Sequence, residues 1–175
     1  MGMNLRENLL RTVRFETPEV IPMSFHINGA CWQHYPQDAL QQLMAEHPLL
    51  FPGFTPARQK IVPEFSPVQR KDQPYTDPWG CTWRTSEDGI TGTVTQHPLA
   101  DWGAFETYHA PDPNLSDGLI PIDWAGVAQK ISTSKTRGEL VQTGLRHGHT
   151  FLQLCDIRGY QALTYDMADD EPRLP

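Results

Sequence analysis

Residues 20–28 read VIPMSFHIN, and the alternation within them decides the fold expected of this chain. Ile21, Met23, Phe25 and Ile27 fall on one face of an extended segment, and Ser24, His26 and Asn28 on the other, which predicts a strand with one apolar and one polar side. The neighbouring segments are helical in pattern. Upstream, Asn4 can cap a helix in which Leu5, Leu9 and Val13 recur at helical spacing, with Glu7 completing a capping-box spacing and Thr17-Pro18 ending the run. Downstream, a loop spans residues 29–35, Pro36 stands at a helix start, and Leu40, Leu43 and Met44 form an apolar stripe that stops before Pro48.

Further along, residues 76–97 predict an antiparallel hairpin. Trp79, Cys81 and Trp83 alternate on one arm, Ile90 and Val94 lie on the other, and Asp88-Gly89 supplies the turn. A short helix is expected around residues 101–108. Another follows from Asp123, with Trp124, Val127 and Ile131 facing inward, Lys135 and Arg137 at its negative end and Gly138 stopping it. Residues 140–146 read as a second core strand, followed by helical patterns in residues 151–155 and 160–167. Helices alternating with two strands too distant for a hairpin imply an α/β chain with parallel βαβ units. A complete (β/α)8 barrel takes about 250 residues, so the 175 residues here accommodate only N-terminal units of a partial TIM-type barrel, with the hairpin as an insertion. Unpaired edges of such a sheet predict aggregation, homo-oligomerisation or a covering partner.

Composition excludes several classes. A formal charge of −7 without a basic cluster argues against nucleic acid and anionic membrane, and favours a small-molecule partner. No apolar run approaches the ~18 residues of a membrane span, and the first residues lack the order of a signal peptide, so a cytoplasmic location is expected. The three cysteines, Cys31, Cys81 and Cys155, support neither a disulfide framework nor a paired metal motif. The acidic stretch containing Asp166, Asp169, Asp170 and Glu171 reads as a solvated face and helix start rather than a calcium loop.

Four stretches together resemble a known family: RENLLRTVRFETPEVIPM at 6–23, YTDPWGCTWRTSEDGITGTVTQHPLADW at 75–102, PDP at 111–113, and HTFLQLCDIRGYQALTYDMADDEP at 149–172. In this order they resemble the N-terminal portion of the uroporphyrinogen decarboxylase superfamily, and they span nearly the whole chain. The resemblance implies one barrel domain over residues 1–175, with ligands at the C-terminal ends of its strands. It also implies one of two activities: cofactor-free decarboxylation of uroporphyrinogen, or zinc-dependent methyl transfer between a corrinoid and a thiol. The decarboxylases carry an arginine-rich segment after the first strand. Here that place reads SFHINGACWQHY, and no arginine lies between Arg14 and Arg58. A substrate with many carboxylates needs cationic recognition, so the chain is closer to the methyltransferase-like branch. Zinc and a corrinoid, together with a corrinoid protein as partner, are then implied for the intact enzyme. The family's zinc ligands belong to its C-terminal part, and none is assigned within this chain.

The candidate ligand contacts follow from the two expected strands. His26 and Asn28 share the polar face near the end of the first, and Trp32 reads equally as an aromatic wall for a planar ligand or as a packing group. Arg146, His147 and His149 lie just beyond the second, where they can meet a carboxylate, phosphate or amide. His26 reads equally well as a structural histidine. The His147/His149 pair is not taken as a metal site, because no further ligand is near in sequence. Cys81 is expected to be an inert packed thiol. No catalytic residue is assigned, and a truncated, non-catalytic binding module remains the reading from another class.

Overall fold

A computed structural model describes residues 3–23, 25–141 and 150–174, which divide into two compact units: Met1–Glu64 with Asp123–Thr143, and Phe65–Ile122 with Gly144–Pro175.

The first unit is built from helices and extended connections. Helix α1 (Leu5–Val13) is capped by Asn4, whose side chain accepts from the Glu7 N–H at 2.8 Å. Helix α2 (Gly29–His34) occupies most of the expected loop, and α3 (Gln37–Glu46) begins after Pro36. Helix α4 (Trp124–Thr136) starts at Asp123, which accepts from the Gly126 N–H at 3.0 Å, and ends before Gly138, where φ is +66°. Its expected inward face is more open than the pattern suggested, since Trp124 is 56% and Val127 40% exposed.

Residues 20–28 do not form the expected strand in their described part. The reason lies in α1. Asn8, buried at 3% exposure, donates from Nδ2 to the Val20 carbonyl at 2.6 Å and accepts on Oδ1 from the N–H groups of Glu19 and Val20 at 2.8 and 3.2 Å. These are the groups a strand would have offered to a neighbour. Pro22 brings no N–H at all, so the segment cannot serve as a central strand. Its side chains follow the backbone outward: Ile21 and Phe25 are 73% and 59% exposed. Ser24 lies outside the described residues. In the second expected strand, Leu140 and Val141 are not in a sheet, and residues 142–146 lie outside the description.

The second unit holds an antiparallel sheet of three short strands, β1 (Tyr75–Thr76), β2 (Thr82–Arg84) and β3 (Thr93–Gln96), in the order β1-β2-β3. Thr82 pairs with Gln96 and Trp83 with Val94, so Thr95 is the extra residue of a bulge. Trp79 sits in the turn between β1 and β2 rather than on a hairpin arm. Val68, Cys81, Trp83, Leu99 and Ile157 form the core, with Tyr75, Trp79, Trp102 and Tyr108 packed around it. A 3-10 turn (Trp102–Thr107) and helices α5 (Phe151–Arg158) and α6 (Tyr160–Ala168) complete the unit.

Two polar anchors hold this core. Buried Asp77 accepts on Oδ1 from the N–H groups of Trp79 and Cys81, both at 2.9 Å, and on Oδ2 from the Trp83 indole at 2.8 Å. One carboxylate thus closes the turn and orients the largest core side chain. The second anchor is Arg158, which bonds Asp166 at 2.6 Å and donates to the carbonyls of Leu99 and Ala100 at 2.8 and 2.5 Å. Its guanidinium also lies 4.7 Å from the Trp102 ring centre, and the Trp102 indole donates to Asp166 at 3.2 Å. Asp166 is therefore not on the solvated acidic face expected for it.

The hydrogen bond from Arg158 holds the Asp166 carboxyl below the usual carboxylate range, with Trp102 adding to it; Arg173 lowers Glu171 in the same way. A carboxyl lowered by folding stabilises the folded state fully above its unfolded value of about 4, and that stabilisation is lost as pH falls further. Urea midpoints measured between about pH 5 and pH 2.5 are expected to fall with acidification. In Asp166→Asn the fall is shallower, because that variant lacks the contribution already at neutral pH. An unchanged slope would contradict this assignment.

Candidate functional site

The groove of interest is made by two glutamines on α3. Gln37 bonds the backbone of Ile61 in both directions, donating to its carbonyl and accepting from its N–H, each at 2.8 Å, and it also donates to the Trp32 carbonyl at 2.7 Å. One turn later Gln41 accepts from the Ala57 N–H at 2.6 Å. Residues four apart share a helix face, so the pair fastens the extended segment 57–61 alongside α3. Arg58 and Lys60 are thereby placed on the wall of the same groove as Trp32.

The resulting open groove has a volume of about 440 Å³, and Trp32, Tyr35, Asp38, Gln41, Arg58 and Lys60 contribute to its wall. Trp32 is half-buried at the end of α2, whereas Arg58 and Lys60 are exposed. An aromatic face beside two cations and several amides suits a planar ligand with carboxylate or amide side groups.

The sequence-predicted contacts fare differently. Trp32 lines the groove. Asn28 caps α2, its side chain accepting from the Ala30 N–H at 2.8 Å, and His26 is exposed; neither contributes to the groove wall. Arg146, His147 and His149 lie outside the described residues. Arg58 and Lys60 were missed because they are distant from Trp32 in sequence. The available signal was Gln37 and Gln41 at helical spacing, which can bind a passing backbone.

Cys81 is fully buried, and its thiol donates to the Asp156 carbonyl at 3.2 Å, which makes it a packing group. Burial pushes the nearby Tyr108 hydroxyl up to about 12, with Cys81 and Asp77 adding to the effect. Tyr108 donates to the Trp79 carbonyl at 3.2 Å. Among the described residues no three His, Cys, Asp or Glu side chains are grouped to hold a metal ion, and no helix is long and apolar enough to cross a membrane.

No family model matches the chain, and neither a search of curated proteins nor a search of solved structures returns a match.

Proposed function

We propose that this chain is related to the methyltransferase-like enzymes of the uroporphyrinogen decarboxylase superfamily, and that the Trp32 groove holds part of a macrocyclic ligand. The four ordered sequence stretches support the family reading. The observation that carries the ligand reading is Trp32 in one groove with Arg58 and Lys60. In the intact enzyme a corrinoid supplies the methyl group and a thiol accepts it. This chain's own part is binding: Trp32 packs against the ring edge, while Arg58 and Lys60 meet its acidic or amide side groups. The described residues offer zinc no ligand set, and no step is assigned to it here. A cytoplasmic location belongs to the same proposal.

A second reading gains support from the same two cations. The missing arginines after residue 20 argue against uroporphyrinogen, yet Arg58 and Lys60 reach the groove from further along the chain, so a carboxylated tetrapyrrole also suits it.

Equilibrium dialysis with hydroxocobalamin and with uroporphyrin separates the two. Trp32→Ala is expected to weaken whichever macrocycle binds by about tenfold, ~1.4 kcal/mol. Paired Arg58→Ala and Lys60→Ala substitutions should weaken uroporphyrin far more than hydroxocobalamin. If neither macrocycle binds, the proposal fails.

A further inference from the structure

The wall of the Trp32 groove carries charge of both signs. Arg58 and Lys60 stand on it as cations and Asp38, in the first turn of α3, as a carboxylate, and all three residues are exposed. Among the described residues none of the three is ion-paired, so sharing one groove has not made Asp38 a partner of either cation. Gln33 and Gln59 lie on the same wall, and their side-chain amides are equally uncommitted among the described residues.

A side group entering this groove meets an acceptor at Asp38 and donors at Arg58 and Lys60. A primary amide answers both, since its N–H groups donate to the carboxylate and its oxygen accepts from the cations. A carboxylate has no proton to give at neutral pH. It gains at Arg58 and Lys60 and is repelled by Asp38. The two cations attract both kinds of side group, so the choice between them falls to Asp38. Its place in the first turn also gives it a structural role, because the helix dipole favours a carboxylate there. That role is blind to the ligand.

Resting on the reading that this groove binds a macrocycle, we propose that Asp38 sets its specificity: it favours a ring carrying amide side groups over one carrying carboxylates at the same places.

Dicyanocobinamide and dicyanocobyrinic acid make the test, since they share one corrin ring and differ in bearing amides or carboxylates around it. Equilibrium dialysis against the whole chain should show tighter binding of cobinamide. In Asp38→Asn the affinity for cobyrinic acid should rise about twofold to fivefold and that for cobinamide should stay within about twofold, as for one solvent-exposed charge interaction. Asp38→Glu should keep the original preference, and added salt should shrink the difference between Asp38 and Asn. A loss of helix stability moves both affinities together and leaves their ratio where it was. A ratio unchanged in Asp38→Asn therefore overturns the assignment, while the groove reading stands if Trp32→Ala still weakens both ligands. If neither ligand binds, both fall.

Discussion

Asp77→Ala is expected to destabilise the second unit by about 4 kcal/mol. The substitution removes one carboxylate but strands three donors, the N–H groups of Trp79 and Cys81 and the indole of Trp83. Hydrogen bonds to a charged acceptor contribute about 1.5–3 kcal/mol each, and a buried donor left without a partner adds its own desolvation cost. The three are coupled through one side chain, so the total is less than their sum. Asp77→Asn separates the contributions. It retains an oxygen for the two backbone donors and loses the acceptor facing Trp83, for an expected cost of about 2 kcal/mol. Urea unfolding followed by tryptophan fluorescence measures both, and equal costs for the two variants would show that the indole bond contributes nothing separable.

The second large effect concerns Gly92. A Cβ built there lies 2.3 Å from the Arg84 carbonyl oxygen and 2.6 Å from its carbon, both backbone atoms within the hairpin. Backbone cannot swing away as a side chain can, so Gly92→Ala must push β2 and β3 apart locally or distort the contact between Gly92 N–H and the Val68 carbonyl, 3.0 Å in the native chain. An expected loss of about 3 kcal/mol follows, at the upper end for overpacking. Gly89→Ala provides the comparison. Gly89 has a φ of +83°, at which a side chain costs about 1–2 kcal/mol. Equal losses at the two positions would refute the close-approach explanation. Circular dichroism and urea midpoints suffice to rank them.

These two residues also show what a single sequence reveals. Asp88-Gly89 announces a turn through residue type alone, because positive φ is a local requirement. Gly92 carries no such mark, since its constraint comes from Arg84 across the hairpin. Helices α1, α3 and α4 were legible for the same local reason, with Asn4, Pro36, Asp123 and Gly138 at or beside their ends, whereas α2 was read as a loop. Alternation in residues 20–28 was misleading because a strand depends on a neighbour, and the backbone groups at residues 19 and 20 are taken by Asn8. Asp166 looked solvated among its acidic neighbours, because its partner Arg158 lies on a separate helix beyond Gly159, where no local spacing pairs the two. Trp32 could be singled out by its chemistry, whereas Arg58 and Lys60 become its neighbours only after Gln37 and Gln41 have seized the intervening backbone.

The grip of Asn8 on the chain after α1 reaches beyond local architecture. Val20, Ile21, Met23 and Phe25 make a greasy, outward-facing run of the kind that recruits a second molecule edge to edge. With its first amide and carbonyl already engaged, and with Pro22 in its midst, that run has lost the template needed to seed fibrils. Removing that one interior amide would free the Val20 N–H and carbonyl for an incoming edge.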